Sequence, residues 1–272
     1  MEDRNVCCFT PLLEQFCTEV KQNFSGQYAY THGLMFPHLL SEEYYQKASR
    51  RFFYLGQDTR WWMEKESELG SNAFSKMLEM GCSGKAADYL KLNNRWPGND
   101  INQIFEWGNR ITFWPAVIKL QIYLQTNKEC SLKNIWDCSE ENKEYLKGMG
   151  YGNIYSVERA SSLKSEGYGA IPELNILHEK SAVIDKLRHI LRLYSPDFII
   201  VFCWNWSEKH YFDDIKIKHR ELIDKWCIYE FEGYKTKMIC TRHPRCFNRI
   251  DWGYPGFDEM IKRTGDLILD RL

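Results

Sequence analysis

Short unbroken apolar runs alternate along the chain with longer stretches in which apolar residues recur every three or four positions. The runs at 51–56 (Arg-Phe-Phe-Tyr-Leu-Gly) and 197–204 (Asp-Phe-Ile-Ile-Val-Phe-Cys-Trp) are too short for helices and read as strands buried on both faces. Residues 153–157 and 237–241 predict two more strands. Helical spacing is clearest at 177–194, which Pro196 ends, and at 257–272. Thr10-Pro11 has the form of a helix start, a capping hydroxyl before a first-turn proline, and Leu12, Leu13, Phe16 and Val20 extend it over 11–24. Residues 25–40 read as loop, and residues 59–100 as a long loop with at least one short helix near 73–80. Residues 101–126 are mostly helical, with Ile104, Ile111, Val117, Leu120 and Leu124 inward; Pro115 starts a new segment or kinks the first. Residues 215–229 are also helical in pattern.

Strands alternating with helices predict an α/β fold in which helices cover both faces of a mostly parallel sheet. The expected architecture is three-layer α/β/α, with a central four-stranded sheet and a helical insertion after the first core strand. No repeat, low-complexity tract or composition break divides the chain, so residues 1–272 are expected to form one domain.

Composition agrees with a packed core: 44% of the 272 residues are hydrophobic and 15% aromatic. No apolar run is long enough to span a bilayer, and Met1-Glu2-Asp3-Arg4 does not open a secretory leader. The expectation is a soluble, cytoplasmic protein with no membrane partner. Its ten cysteines contain no Cys-x-x-Cys pair, so neither a zinc nor an iron–sulfur motif is visible, and no metal or cofactor is expected. Cys203 and Cys240, inside apolar runs, read as reduced structural thiols. The net charge of −1 lacks the global signature of a nucleic-acid binder but permits a local basic face.

Ligands of open parallel sheets sit beyond the carboxyl ends of the strands. Three such ends carry informative residues. At Gly56-Gln57-Asp58, glycine lets backbone approach a ligand, Gln57 offers both donors and an acceptor, and Asp58 can orient or deprotonate water. The same residues also suit a turn with a capping aspartate. At Arg242-His243-Pro244-Arg245, His243 can donate to a charge developing on a leaving group, and Arg242 and Arg245 can meet phosphates. A solvated basic loop is the plainer alternative. Asn153 can read a base edge with paired donor and acceptor, or serve as a turn residue.

Taken together, residues 52–58, an apolar strand ending in Gly-Gln-Asp, resemble the first motif of the uracil-DNA glycosylase superfamily. Thr241-Arg242-His243-Pro244 looks like its second motif, a strand ending in His-Pro. Asn153-Ile154 is similar to the position where members carry the base-recognising asparagine. The resemblance covers these short segments only. It implies a uracil-DNA glycosylase-like fold and DNA containing a damaged or deaminated base as partner, with the base flipped into a pocket at the strand ends. Asp58 would position the attacking water and stabilise the cationic sugar, and His243 would stabilise the departing base. Gly56, Gln57 and Asn153 would face the base, and Trp61 or Trp62 would stack on it. Arg242 and Arg245 would grip DNA, and Phe247 sits where the family places the apolar wedge that fills the vacated stack. Thr59-Arg60 replace the family's frequent Pro-Tyr, which leaves the identity of the base open. Arg245-Cys246 replace its usual Ser-Pro, whose serine helps pinch the DNA backbone.

Two other classes fit the residues. One is a non-catalytic member of the same fold that binds a nucleotide, a nucleic acid or a protein. The other is an unrelated α/β hydrolytic enzyme using Asp58 and His243 on a small molecule. Trp204 and Trp206 either line a pocket or close the core, and the basic run at 216–220 reads as the solvated face of a helix.

Overall fold

The first helix, α1 (Arg4–Asn23), shows how tertiary burial overrides local signals. Pro11 lies inside it rather than at its start, although an interior proline forfeits a hydrogen bond. The buried stripe Phe9, Leu13, Phe16 and Cys17 crosses that point, so the face that must be covered begins before the proline. The computed structural model describes residues 4–23, 37–56, 73–93, 113–127, 140–154, 160–161, 169–170, 187–203 and 215–272.

After α1 come a short strand β1 (His38–Leu39) and α2 (Glu42–Lys47). Ser41 caps α2, acids occupy its first turn, and Lys47 in its last turn pairs with Glu43. The apolar run predicted as the first core strand is β2 (Phe52–Gly56), buried throughout. Then follow α3 (Ala73–Cys82) and α4 (Ala86–Asn93), which pack on α1, and α5 (Phe113–Thr126). Pro115 falls in the first turn of α5 and starts the helix rather than kinking it. The chain continues through α6 (Glu140–Lys147), β3 (Met149–Asn153) and a separate two-stranded sheet of β4 (Ala160–Ser161) and β5 (Gly169–Ala170). A π-helical turn, Ile190–Tyr194, leads into β6 (Phe198–Phe202), followed by β7 (Ile217–Ile223), β8 (Trp226–Phe231), β9 (Lys237–Thr241) and α7 (Phe257–Leu269).

The main sheet has seven strands in the order β1-β3-β2-β6-β9-β8-β7. Its four central strands, β3-β2-β6-β9, are mutually parallel; β1, β8 and β7 join antiparallel. The α/β expectation therefore holds, with two corrections. The sheet is wider than four strands, and residues 215–229, expected to be helical, form most of the β7–β8 hairpin turning at Asp224-Lys225. The basic run sits on that edge strand, where Lys216 pairs with Glu232 and Lys218 with Glu230 across the hairpin. The strand expected at 153–157 starts four residues earlier, at Met149. Gly150 conceals it: a Cβ there would overlap the Phe53 ring, so the neighbouring strand supplies the apolar bulk.

Side chains alternate between two cores. One face of the sheet carries Phe52, Tyr54, Phe198, Ile200 and Phe202 against α5 and α7. The other carries Phe53, Leu55, Ile199 and Val201 against Leu187, Ile190, Leu191 and Tyr194. Burial on both faces explains the unbroken apolar runs. Helix α5 is covered on nearly every side, and its buried polar groups are satisfied. Lys119 pairs with Asp258 at 2.7 Å, and Gln121 accepts from the Tyr54 hydroxyl and donates to the Tyr145 carbonyl, both at 2.9 Å. Gln121→Leu would leave that buried phenol without its acceptor and is expected to cost about 1–3 kcal/mol in chemical denaturation. Adding Tyr54→Phe should recover part of the loss, because the stranded hydroxyl is then gone.

Among the described residues, no helix is long and apolar enough to cross a membrane. Cys17, Cys82, Cys203, Cys227, Cys240 and Cys246 are free thiols. Burial raises the Cys240 thiol well above its ordinary pKa, so the thiolate needed for reaction is disfavoured.

Candidate functional site

The four parallel strands end on one edge, and their registers draw a row across it. Gly56 is paired with Asn153; Leu55 is paired with Val201, which brings Phe202 next to Gly56; and Phe202 is paired with Thr241. With strands about 4.8 Å apart, the row from β3 to β9 spans about 14 Å. The chain leaves β9 through Arg242-His243-Pro244, so the His-Pro loop starts on the same edge as Gly56, two strands away.

Gly56 is glycine because its side-chain space is taken. A Cβ there would lie 2.5 Å from Asn153 Oδ1 and 3.2 Å from the Phe113 ring. The Asn153 side chain, only 2% exposed, lies across the end of β2 rather than in a solvated turn. The surrounding wall is aromatic. Phe113 meets Phe202 edge-on at 6.1 Å and Trp114 at 5.3 Å, and Trp114 meets Tyr151 at 5.0 Å. Tyr151 is fully enclosed, and burial holds its phenol protonated.

His243 has a definite local role. It is the N-cap of the one-turn 3-10 helix Pro244–Cys246, and its Nδ1 accepts from the Arg245 N–H at 3.3 Å. Proline in the first turn needs no donor, which accounts for the His-Pro order. An accepting Nδ1 leaves the proton of the neutral ring on Nε2, the tautomer suited to donating toward an anion.

Phe247 does not match its expected role. It is buried, ringed by Phe202, Tyr254 and Phe257 at 6.1, 6.2 and 5.9 Å. An apolar wedge must stand in solvent before it enters a base stack, so that assignment is corrected: Phe247 is a core residue closing the His243 loop onto the sheet. The exposed apolar side chains of this region are Ile250, at 78%, and Trp252, at 43%. Arg245 is exposed, whereas Arg242 is half-buried and lies 5.3 Å over the Trp252 ring. Gln57, Asp58, Trp61, Trp62, Trp204 and Trp206 lie outside the described residues.

A cavity of about 330 Å³ opens beside this loop, lined by Asp224, Lys225, Arg242, Trp252 and Tyr254. It lies on the β8 side of β9, displaced from Gly56 and Asn153. Burial raises the Tyr254 phenol there, and the Arg242 guanidinium opposes the rise. Of the lining residues, sequence reasoning singled out Arg242 alone. The signal for Trp252 and Tyr254 is the interleaving of basic and aromatic residues shortly after His243; Asp224 and Lys225 reach the cavity only through the β8–β9 pairing. Among the described residues, no group of three or more His, Cys, Asp or Glu side chains is arranged to hold a metal ion.

Comparison with protein-family models, curated proteins and solved structures finds no match to this chain.

Proposed function

We propose that this chain is a uracil-DNA glycosylase-like protein that hydrolyses the N-glycosidic bond of uracil or another deaminated base flipped out of DNA. The observation supporting this reading is the shared strand-end edge. The strand that runs into Gln57-Asp58, the buried amide of Asn153 and the start of the His243 loop lie within three strand spacings of one another. Glycosidic cleavage puts positive charge on the sugar and negative charge on the departing base. Asp58 serves the first need by holding water and countering the cation. His243, with its ring proton on Nε2, serves the second. Asn153 supplies the paired donor and acceptor that read a base edge.

The test is release of free base from oligonucleotides carrying uracil or other deaminated bases, in single and double strands, read as alkali-labile abasic sites. Asp58→Asn is expected to slow release by about 10²- to 10⁴-fold with binding retained. Absence of release across the whole panel would overturn the proposal.

One observation favours a second reading, in which the fold binds DNA or a nucleotide without turnover. With Phe247 in the core, the loop lacks the wedge that the resemblance assigns to that position. That reading predicts measurable affinity, no base release, and no change in affinity with Asp58→Asn.

A further inference from the structure

We propose that the cavity between the β7–β8 turn and the loop after β9 is a phosphate-binding site, with Lys225 and Arg242 as its two cationic arms. The argument starts from register. Trp226 and Thr241 are the last paired residues of the β8–β9 ladder, so Lys225 and Arg242 face each other one position beyond it. Like charges opposed across two strands destabilise the pairing. Here they are held together: the Thr241 hydroxyl donates to the Lys225 carbonyl at 2.9 Å, tying the two strand ends.

Their charge is incompletely answered by the described residues. Lys225 Nζ stands 4.0 Å from Asp224 Oδ1, at the outer limit of an ion pair, and that carboxylate is mostly exposed. Its other neighbours are the Trp252 carbonyl, at 3.4 Å, and the Tyr254 ring, 5.0 Å away. Arg242 has no carboxylate within ion-pairing distance among the described residues; it lies over Trp252 and beside the Cys246 thiol. Arg249, by contrast, is occupied by Asp251 at 2.7 and 3.0 Å and lies 4.3 Å over the same tryptophan, which holds that wall in place. A cavity of about 330 Å³ with two opposed cations, one of them a planar fork with no carboxylate partner among the described residues, calls for an anion between them. Phosphate fits: its oxygens can take the paired donors of Arg242 and the point charge of Lys225 together. Among the described residues, Asp224 is the one acidic group that lines the cavity.

The site does not depend on base excision, so its test is separate from that of the proposed function. The probes are inorganic phosphate, a mononucleotide, and a short single-stranded oligonucleotide with and without a 5′-phosphate. Binding is followed by tryptophan fluorescence and by calorimetry on the full chain. Phosphate-dependent binding is expected. Lys225→Gln and Arg242→Gln should each weaken it by about ten- to a hundredfold, while Lys216→Gln, at an unrelated surface lysine, leaves it unchanged. Without ligand, Lys225→Gln should leave the melting temperature unchanged or raise it, because it removes one of two opposed charges. Preference for the 5′-phosphorylated strand assigns the site to a nucleic-acid end. Equal binding of both strands assigns it to the backbone, and binding of the small probes alone assigns it to a free nucleotide or phosphate. No binding of any phosphate probe, or equal binding by the folded Lys225→Gln and Arg242→Gln variants, would overturn the proposal.

Discussion

Replacing Phe247 by alanine is expected to lower stability by about 3–5 kcal/mol, the usual cost of emptying a large aromatic site in a packed core. For a chain of this length that is a fall in melting temperature of about 10 °C. The ring touches Phe202 from the sheet, Tyr254 from the loop and Phe257 from α7, so no single neighbour can collapse into the space. The outcome separates two roles for one residue. A solvent-exposed wedge could be truncated with almost no change in melting temperature and would lose only DNA affinity. A core residue loses stability first, and Phe247→Leu should recover much of it because leucine refills most of the volume. Thermal and urea unfolding of the three proteins decide between the roles.

The second large effect is expected at Gly56. A methyl group there would come within 2.5 Å of Asn153 Oδ1, and the Phe113 ring closes the other side. Gly56→Ala should therefore cost about 1–3 kcal/mol of overpacking and push the Asn153 amide from its position. Removing that amide makes room, so the double variant Gly56→Ala/Asn153→Ala should be more stable than the two single losses add up to. A double-mutant cycle in urea measures the coupling, which for side chains in contact is about 0.5–3 kcal/mol. If the two losses simply add, Gly56 and Asn153 do not share the space described. Under the proposed function, Gly56→Ala also reduces base release, because the amide and the start of the Gln57-Asp58 segment move with it.

How much was legible depends on where the information resides. Strands β2, β6 and β9 are buried on both faces, so their apolar runs are visible in any window of six residues. Strand β3 is equally buried but reads Met-Gly-Tyr-Gly-Asn, because Phe53 fills the volume its glycine vacates. The β7–β8 hairpin has a helical pattern in sequence for a related reason. Its edge strand is half charged, and what holds it is the cross-strand ladder with β8, whose pairs run from Ile223–Trp226 to Ile217–Phe231, residues up to 14 positions apart. No local period records such a pairing. Helix α1 runs through Pro11 because the buried positions before and after the proline offset the lost hydrogen bond.

The candidate site divides the same way. The chain alone marks Gly56, Asn153 and His243 as polar or flexible residues at strand ends, since each follows an apolar run or stands in a glycine-rich turn sequence. It also carries the α/β class, because the alternation of fully buried runs with helical spacing is a local property of composition. Strand order is not local. That β3 and β6 flank β2, that Asn153 crosses Gly56, that Phe247 turns inward while Trp252 turns outward, and that Lys225 faces Arg242 all follow from contacts between segments far apart in the chain. Burial can be read residue by residue because it selects apolar side chains everywhere. Adjacency cannot, because many pairings bury the same residues, and the packed whole selects one of them.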